Sequence, residues 1–275
     1  MAVRSLRVLV DNVSSDPRLA AEHGWSVWID AGEAGCLLWD TGQTGLVAQN
    51  AAALGIDPTA ARSIALSHGH YDHSGGLATL IEAGYAGPVY GHPDVWQQRY
   101  SRRDATTYRS AGMNDGRLPN GLPGFVPLRE AHTLAPGLTC VTDIPRRPGN
   151  FTATANLFRD TAGHVPDLVP DDAFLVIDAP GGRLALLGCC HAGLANSLEA
   201  ARDKCGIERF QTVVGGLHLI GAPESAMAET VDALKRFGVT RLYAGHCTGQ
   251  AGLDYLREHF QGDFTPTGAG LEIVP

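Results

Sequence analysis

Four residues within six positions, His68, His70, Asp72 and His73, set the chemistry open to this chain. They stand in Ser67 to Gly76, SHGHYDHSGG, between an apolar run (Ile64, Ala65, Leu66) and a helix-like segment from Leu77 to Ala83. If 64–67 is a buried strand and the chain stays extended through His70, period-two alternation points the His68 and His70 imidazoles the same way, where they can share one ion. Asp72 and His73 then follow in a turn that Gly69, Gly75 and Gly76 permit, and address a second point a few ångströms away. Two ions about 3.5–4 Å apart suit such a doubled ligand set. Imidazole with carboxylate favours Zn, Fe or Mn over Mg or Ca, without choosing among the three. A lone His near a strand end is usually a hydrogen-bonded surface residue, whereas this cluster has little structural use.

His68 to His73, HGHYDH, resembles the HxHxDH signature of the metallo-β-lactamase fold superfamily, whose members are mostly two-metal hydrolases. AEHGWS (Ala21 to Ser26), LLWDTGQTG (Leu37 to Gly45), GCCHAG (Gly188 to Gly193), GGLHL (Gly215 to Leu219) and GHCTG (Gly245 to Gly249) resemble one branch of it. That branch holds the archaeal dihydropterin ribofuranosyl-aminobenzene phosphate synthases and bacterial hydrolase-like relatives. The resemblance implies two divalent ions, zinc first and Mn or Fe as alternatives. The superfamily pattern, carried over, gives His68, His70 and His191 to the first ion and Asp72, His73 and His246 to the second. Two stretches depart from the pattern. The expected His after the lid and the expected bridging Asp fall on DIPRRPG (Asp143 to Gly149) and GCCH (Gly188 to His191), and neither supplies its residue cleanly. His191 then bridges or replaces the missing His, and a mononuclear or weak second site stays open.

The elements that must position these residues are short. Leu6 to Val10, Ser26 to Ile29 and Cys36 to Trp39 read as strands, bounded by Gly, Asp or Asn. Asp11, Asn12, Glu22 and His23 lie in the first loop, where polar residues beyond a strand end tend to face a site. Asp40 opens a turn before a helix through Ala53, and is either a turn residue or the partner that orients a ligand His. A strand at Pro88 to Tyr90 ends in Gly91 and His92. Residues 93–148, rich in Arg, Gly and Pro with poor periodicity, read as a lid-like insertion in a single domain over 1–275, with short strands near Val126 to Leu128 and Leu138 to Thr142.

The second half echoes the first. Strands at Leu184 to Leu187, Thr212 to Val214 and Arg241 to Ala244 alternate with helices at Asn196 to Lys204 and Glu224 to Phe237. Laid against Leu37 to His92, His218 corresponds to His68 and His246 to His92. Such duplication argues for an α/β fold of two facing mixed β-sheets with helices outside, an αββα sandwich with the site along one rim, which is also the fold the resemblance implies. His92, His132, His164 and His259 are background.

With 275 residues the chain is long enough for one large α/β domain, and 44% hydrophobic with 18% charged residues is ordinary for a soluble protein. No apolar run approaches the ~20 residues that span a bilayer. The N-terminus lacks a signal peptide's apolar region, so the cytoplasm is the default. A net charge of −8 argues against a nucleic-acid partner; a homodimer is allowed. Lys204 and Lys235 are the only lysines, so arginine here reflects base composition as much as anion binding. Cys36, Cys140, Cys189, Cys190, Cys205 and Cys247 show no CxxC pairing and read as free thiols. Cys189, Cys190 and Cys247, beside His191 and His246, are candidates for the site's edge rather than ligands.

The expected reaction is attack by a metal-activated water on a small anionic ester, phosphodiester or lactone. Asp72 both ligates and holds the water. His218 is a substrate contact or proton shuttle, a ligand, or a structural His. Arginine outnumbers acid between 93 and 150, and Arg146 and Arg147 are the choice for a substrate phosphate or carboxylate. The alternative is a transferase displacing diphosphate from a pterin, as the branch resemblance implies. Oxygen chemistry at non-haem iron and a non-catalytic binding protein are further readings. One fold hosts many chemistries, so resemblance alone does not choose.

Overall fold

Strands apolar on both faces must be covered on both, and that requirement builds the layers of this protein. In the computed structural model, which describes residues 3–113, 118 and 122–275, the first strands are β1 (Ser5–Val10), β2 (Ser26–Asp30), β3 (Cys36–Trp39), β4 (Ser63–Ala65) and β5 (Val89–Gly91). Then come β6 (Tyr100–Arg102), β7 (Tyr108–Ser110), β8 (Phe125–Pro127), β9 (Ala131–Ala135), β10 (Leu138–Val141) and β11 (Leu157–Phe158). The last are β12 (Phe174–Ala179), β13 (Gly182–Leu187), β14 (Thr212–Gly216), β15 (Arg241–Gly245), β16 (Asp263–Pro266) and β17 (Glu272–Ile273). The helices are α1 (Leu46–Ala53), α2 (Tyr71–Ser74), α3 (Leu77–Glu82), α4 (Leu194–Cys205), α5 (Glu224–Arg236) and α6 (Gly249–His259). None of them is long and apolar enough to cross a membrane.

Two seven-stranded sheets form, ordered β17-β1-β2-β3-β4-β5-β8 and β16-β15-β14-β13-β12-β10-β9. Val8, Leu37 and Trp39 of the first sheet meet Leu175, Ile177, Leu184 and Leu186 of the second in one buried cluster. The alternate residues turn outward: Leu9 and Leu38 pack with Val47, Leu77 and Leu80 of α1 and α3. Ala185 and Leu187 pack with Leu198, Leu234 and Leu256 of α4, α5 and α6. Period-two strands thus give an αββα sandwich, the α/β fold expected.

The echo between the halves reappears in the pairing. In the first sheet β1, β2 and β3 are antiparallel, and β3, β4, β5 and β8 parallel. In the second, β10, β12 and β13 are antiparallel, and β13, β14, β15 and β16 parallel. β14 thus stands where β4 stands, which makes His218 the counterpart of His68. Parallel neighbours end level, so the loops after β13, β14 and β15 open on the same rim.

The stretch 93–148, expected as one lid-like insertion, is divided, and its residues 114–117 and 119–121 lie outside the described residues. β8 closes the edge of the first sheet, and β9 and β10 belong to the second. Their short apolar runs pair with β5 and β12, and the Arg, Gly and Pro around them obscured this in the sequence. What stands apart is a three-stranded sheet, β11-β6-β7. It is clipped to the metal-motif loop by the Tyr71 N–H, which donates to Ala111 O at 3.1 Å.

Candidate metal centre

β4 ends at Ala65, and the next residues carry the motif into the rim. Asp171 Oδ2 accepts the Gly69 N–H at 2.7 Å. A Cβ on Gly69 would lie 2.0 Å from Val95 O, so only glycine lets the loop pass here. His70 is extended (φ −76°, ψ 147°) and starts the one-turn helix α2, which swings Asp72 and His73 inward. His68 Nε2 and His70 Nδ1 stand 2.9 Å apart. His191, from the loop after β13, joins them; its Nδ1–H donates to Ala153 O at 2.7 Å, and its buried Nε2 makes no hydrogen bond among the described residues. One ligand atom from each of the three lies within 4.8 Å of the others.

A second group adjoins it. His73 Nε2 is 3.1 Å from both Cys189 Sγ and His246 Nε2. Asp72 Oδ2 lies 3.4 Å from His246 Nε2 and 3.8 Å from His73 Nε2. The outer nitrogens are occupied: His73 Nδ1 faces Asp40 Oδ2 at 2.7 Å, and His246 Nδ1 faces Asn12 Oδ1 at 3.0 Å. A ring whose outer N–H is held by an oxygen presents a lone pair inward, as ligand histidines do. Asp40 therefore orients a ring. Its backbone (φ 57°) is left-handed, as are those of Cys190 (61°), His218 (44°) and His246 (50°), all at strand ends around this rim. Such strain in non-glycine residues clusters at functional positions.

The electrostatics suit neutral ligands in the first group. Burial, then the neighbouring rings, holds His68 and His191 well below the usual imidazole value. Burial and Arg99 hold His70 down to about 3. In the second group burial opposes the charge on Asp72, but His73, His23 and His246 keep its carboxyl well below the usual range. Burial likewise opposes charge on His246, yet Asp72 and Cys247 raise it to about 9. Without an ion the second group is an ion pair; the first is a set of uncharged rings, the state in which imidazole binds a divalent cation.

Above both groups opens a cavity of about 210 Å³, lined by His23, Asp72, Arg103, Cys189, His218 and Cys247 among others. His218 thus lies in the cavity with Asp72. Cys189, expected at the edge, stands within the second group, where the sequence showed no bridging Asp; its place in GCCH was the available signal. Cys190 points the other way, its Sγ 3.6 Å from Ser197 Oγ in the core. His23, a loop residue in the sequence, has Nε2 3.1 Å from Asp72 Oδ2.

Arg146 and Arg147 are not brought to the site. Arg146 donates to Ile144 O and Val169 O at 3.1 and 2.6 Å. Arg147 is paired with Glu199 at 2.5 Å and with Asp203, both on α4. Their guanidiniums are spent on tying the 144–147 turn to its neighbours. The arginine at the cavity is Arg103, just past β6.

The chain is 29% identical over 266 residues to the 7,8-dihydropterin-6-methyl-4-(beta-D-ribofuranosyl)-aminobenzene-5'-phosphate synthase of Methanocaldococcus jannaschii, a match covering 92% of this chain and 90% of that protein. It is 28% identical over 259 residues to an uncharacterised protein of the same organism, covering 92% and 94% of the two chains. A solved structure of a metal-dependent hydrolase of the beta-lactamase superfamily superposes with a TM-score of 0.84 at 28% identity, covering 99% of each chain. The family model of the metallo-beta-lactamase superfamily matches residues 20–246. With two facing sheets and His68 to His73 on their rim, the chain belongs to the metallo-β-lactamase superfamily.

Proposed function

We propose that this protein is a cytoplasmic hydrolase that binds two divalent ions, zinc in the first place, and directs water at a small anionic ester, phosphodiester or lactone. The observation that carries the reading is the adjacency of the two groups, His68/His70/His191 and Asp72/His73/Cys189/His246, at the floor of one cavity. The donors fit: the buried His191 Nε2 makes no hydrogen bond among the described residues, and the outer nitrogens of His73, His191 and His246 are all held. Ions in these groups would supply a water acidified from 15.7 towards about 7 and an electrophile for a carbonyl or phosphoryl oxygen.

The chain's own residues do the rest. Asp72 Oδ2, set among His23, His73 and His246, accepts the proton of the attacking water and fixes its direction. His23, 47% exposed at its side chain and 3.1 Å from that oxygen, relays the proton towards solvent. Arg103 offers a fork to the substrate's anionic group. The β11-β6-β7 sheet narrows the entrance and limits competing water.

A second reading has its own support: the full-length similarity to the dihydropterin synthase favours displacement of diphosphate from a pterin, with the same cavity holding the leaving group. Metal-reconstituted protein, assayed against phosphodiesters, lactones and a dihydropterin methyl diphosphate with an aminobenzoate-type acceptor, separates the two. Hydrolysis lost on His70→Ala supports the first. Diphosphate release dependent on the acceptor, with no hydrolysis, overturns it for the second.

A further inference from the structure

Cys189, His218 and Cys247 come from three successive strand ends. Cys189 follows β13, His218 follows β14 and Cys247 follows β15, and the parallel register of those strands keeps the ends level. One ligand atom from each lies within 4.8 Å of the others, and all three residues line the cavity. The placement is specific. His218 and His246, the residue before Cys247, both take left-handed backbone. A Cβ on Gly216 would meet Cys247 Sγ at 2.5 Å, so the glycine makes the space the thiol occupies.

A buried Cys is ordinarily a small hydrophobe. That account fits Cys190, packed against α4 and the core. It fits Cys189 and Cys247 poorly, because their surroundings are polar: Cys189 Sγ is 3.1 Å from His73 Nε2, and Cys247 Sγ lies 3.5 Å from Cys189 O. His218 adds an independent observation. Its buried Nδ1 makes no hydrogen bond among the described residues, and such a group in a native structure calls for a partner. Two thiols, an imidazole and one face open to the cavity form a Cys₂His donor set with a vacant fourth position, a set known to hold zinc.

We propose that Cys189, His218 and Cys247 form a further, thiolate-rich metal site that takes a thiophilic divalent cation such as Zn²⁺ or Cd²⁺. Binding forms two sulfur–metal bonds and one nitrogen–metal bond, and releases the two thiol protons to solvent. No oxidant or reductant is involved. Cys189 is shared with the Asp72/His73/His246 group, its thiolate lying between the two positions, and this is the sole point at which the inference rests on the dinuclear reading. His218 would then be a ligand of an ion held at the wall of the cavity.

The test is cobalt and zinc uptake by the metal-free full-length chain. Thiolate bound to Co²⁺ gives a near-ultraviolet charge-transfer band that imidazole and carboxylate do not. The band is expected to fall by about half in Cys247→Ala, to vanish when Cys189→Ala is added, and zinc content to drop by about one ion per chain in Cys247→Ala and in His218→Ala. His70→Ala should lose an ion from the first group and keep the whole band. Full band and full zinc content in Cys247→Ala overturn the site. A reading on the unmutated protein guards against a folding defect: with one Cd²⁺ supplied per metal-free chain, X-ray absorption should count two sulfurs per ion, and one sulfur or none overturns the proposal. Zinc content unchanged in His70→Ala, with the band intact, would instead count against the dinuclear reading.

Discussion

Asp40 Oδ2 lies 2.7 Å from His73 Nδ1, and the same carboxylate accepts the Ser67 N–H and the Ser67 hydroxyl, each at 2.7 Å. Three donors converge on one carboxylate at the end of β3, so the His73 ring is fixed before any ion arrives. Asp40→Asn keeps the shape but replaces one acceptor oxygen with a donor NH₂, which cannot serve all three. The variant is expected to fold and to bind metal about 10–100-fold more weakly. Competition with a chromophoric chelator measures this, and unchanged affinity would remove Asp40 from the site.

Arg99 is 1% exposed and pairs with Asp171 at 2.5 Å and Asp167 at 3.2 Å. Asp171 in turn holds the Gly69 N–H between two candidate ligands. Arg99→Leu leaves two buried carboxylates facing an apolar chain, and removing one partner of a buried pair costs about 3–5 kcal/mol. Urea unfolding should show a loss of that size. A shift within about 0.5 kcal/mol, as for an ordinary surface substitution, would contradict the clamp.

How legible all this was depended on how local the signal is. β3 and α1 end where their Gly, Asp and apolar boundaries place them, and the candidate ligands from His68 to His73 lie within six residues of one another. His191, His218 and His246 were readable because each lies within four residues of a strand end in a repeated order. Arg99, Asp167 and Asp171 carried no such mark, since their pairing joins segments about 70 residues apart and depends on tertiary packing. Arg146 and Arg147 misled for a related reason: their charge was visible, but the Glu199 and Asp203 that neutralise Arg147 sit on α4, distant in sequence. β9 and β12 were missed because pairing partners, rather than propensity, decide a strand among Gly and Pro.

The metal-free protein should be acid-labile. His70 sits near about 3 against 6.5 for an ordinary imidazole, and His68 and His191 are shifted the same way. Above 6.5 neither folded nor unfolded rings are charged and the shifts contribute nothing; between about 6.5 and 3 the unfolded chain binds protons the folded chain refuses, so stability falls with pH. Each ring contributes up to about 1.4 kcal/mol per pH unit. Asp172, raised by burial from 3.8 to about 6, works the other way but offsets one ring among three. On the alkaline side, the contribution of His246 is fully present below 6.5 and is lost as pH rises through about 9. Melting temperature against pH should therefore peak near neutrality and drop steeply below pH 6. A profile flat from pH 7 to 5 would show that the rings are not held neutral.

Arg103 and Arg147 make opposite predictions for substrate binding. Arg103 lines the cavity beside Asp72, and a charge-assisted hydrogen bond to an anionic substrate is worth about 1.5–3 kcal/mol. Arg103→Ala should therefore raise KM about tenfold or more while leaving kcat nearly unchanged, the pattern of lost uniform binding. Arg147 is bound to Glu199 and Asp203 on α4, and is 39% exposed. Arg147→Ala should leave KM where it was and cost about 1 kcal/mol or less in stability, because its guanidinium is partly exposed and Glu199 keeps Arg236 at 2.8 Å. Steady-state kinetics on whichever substrate is turned over, with thermal melts alongside, read both. If Arg147→Ala raised KM and Arg103→Ala did not, the anion would be held from the α4 side, and the β11-β6-β7 sheet would have no part in binding it.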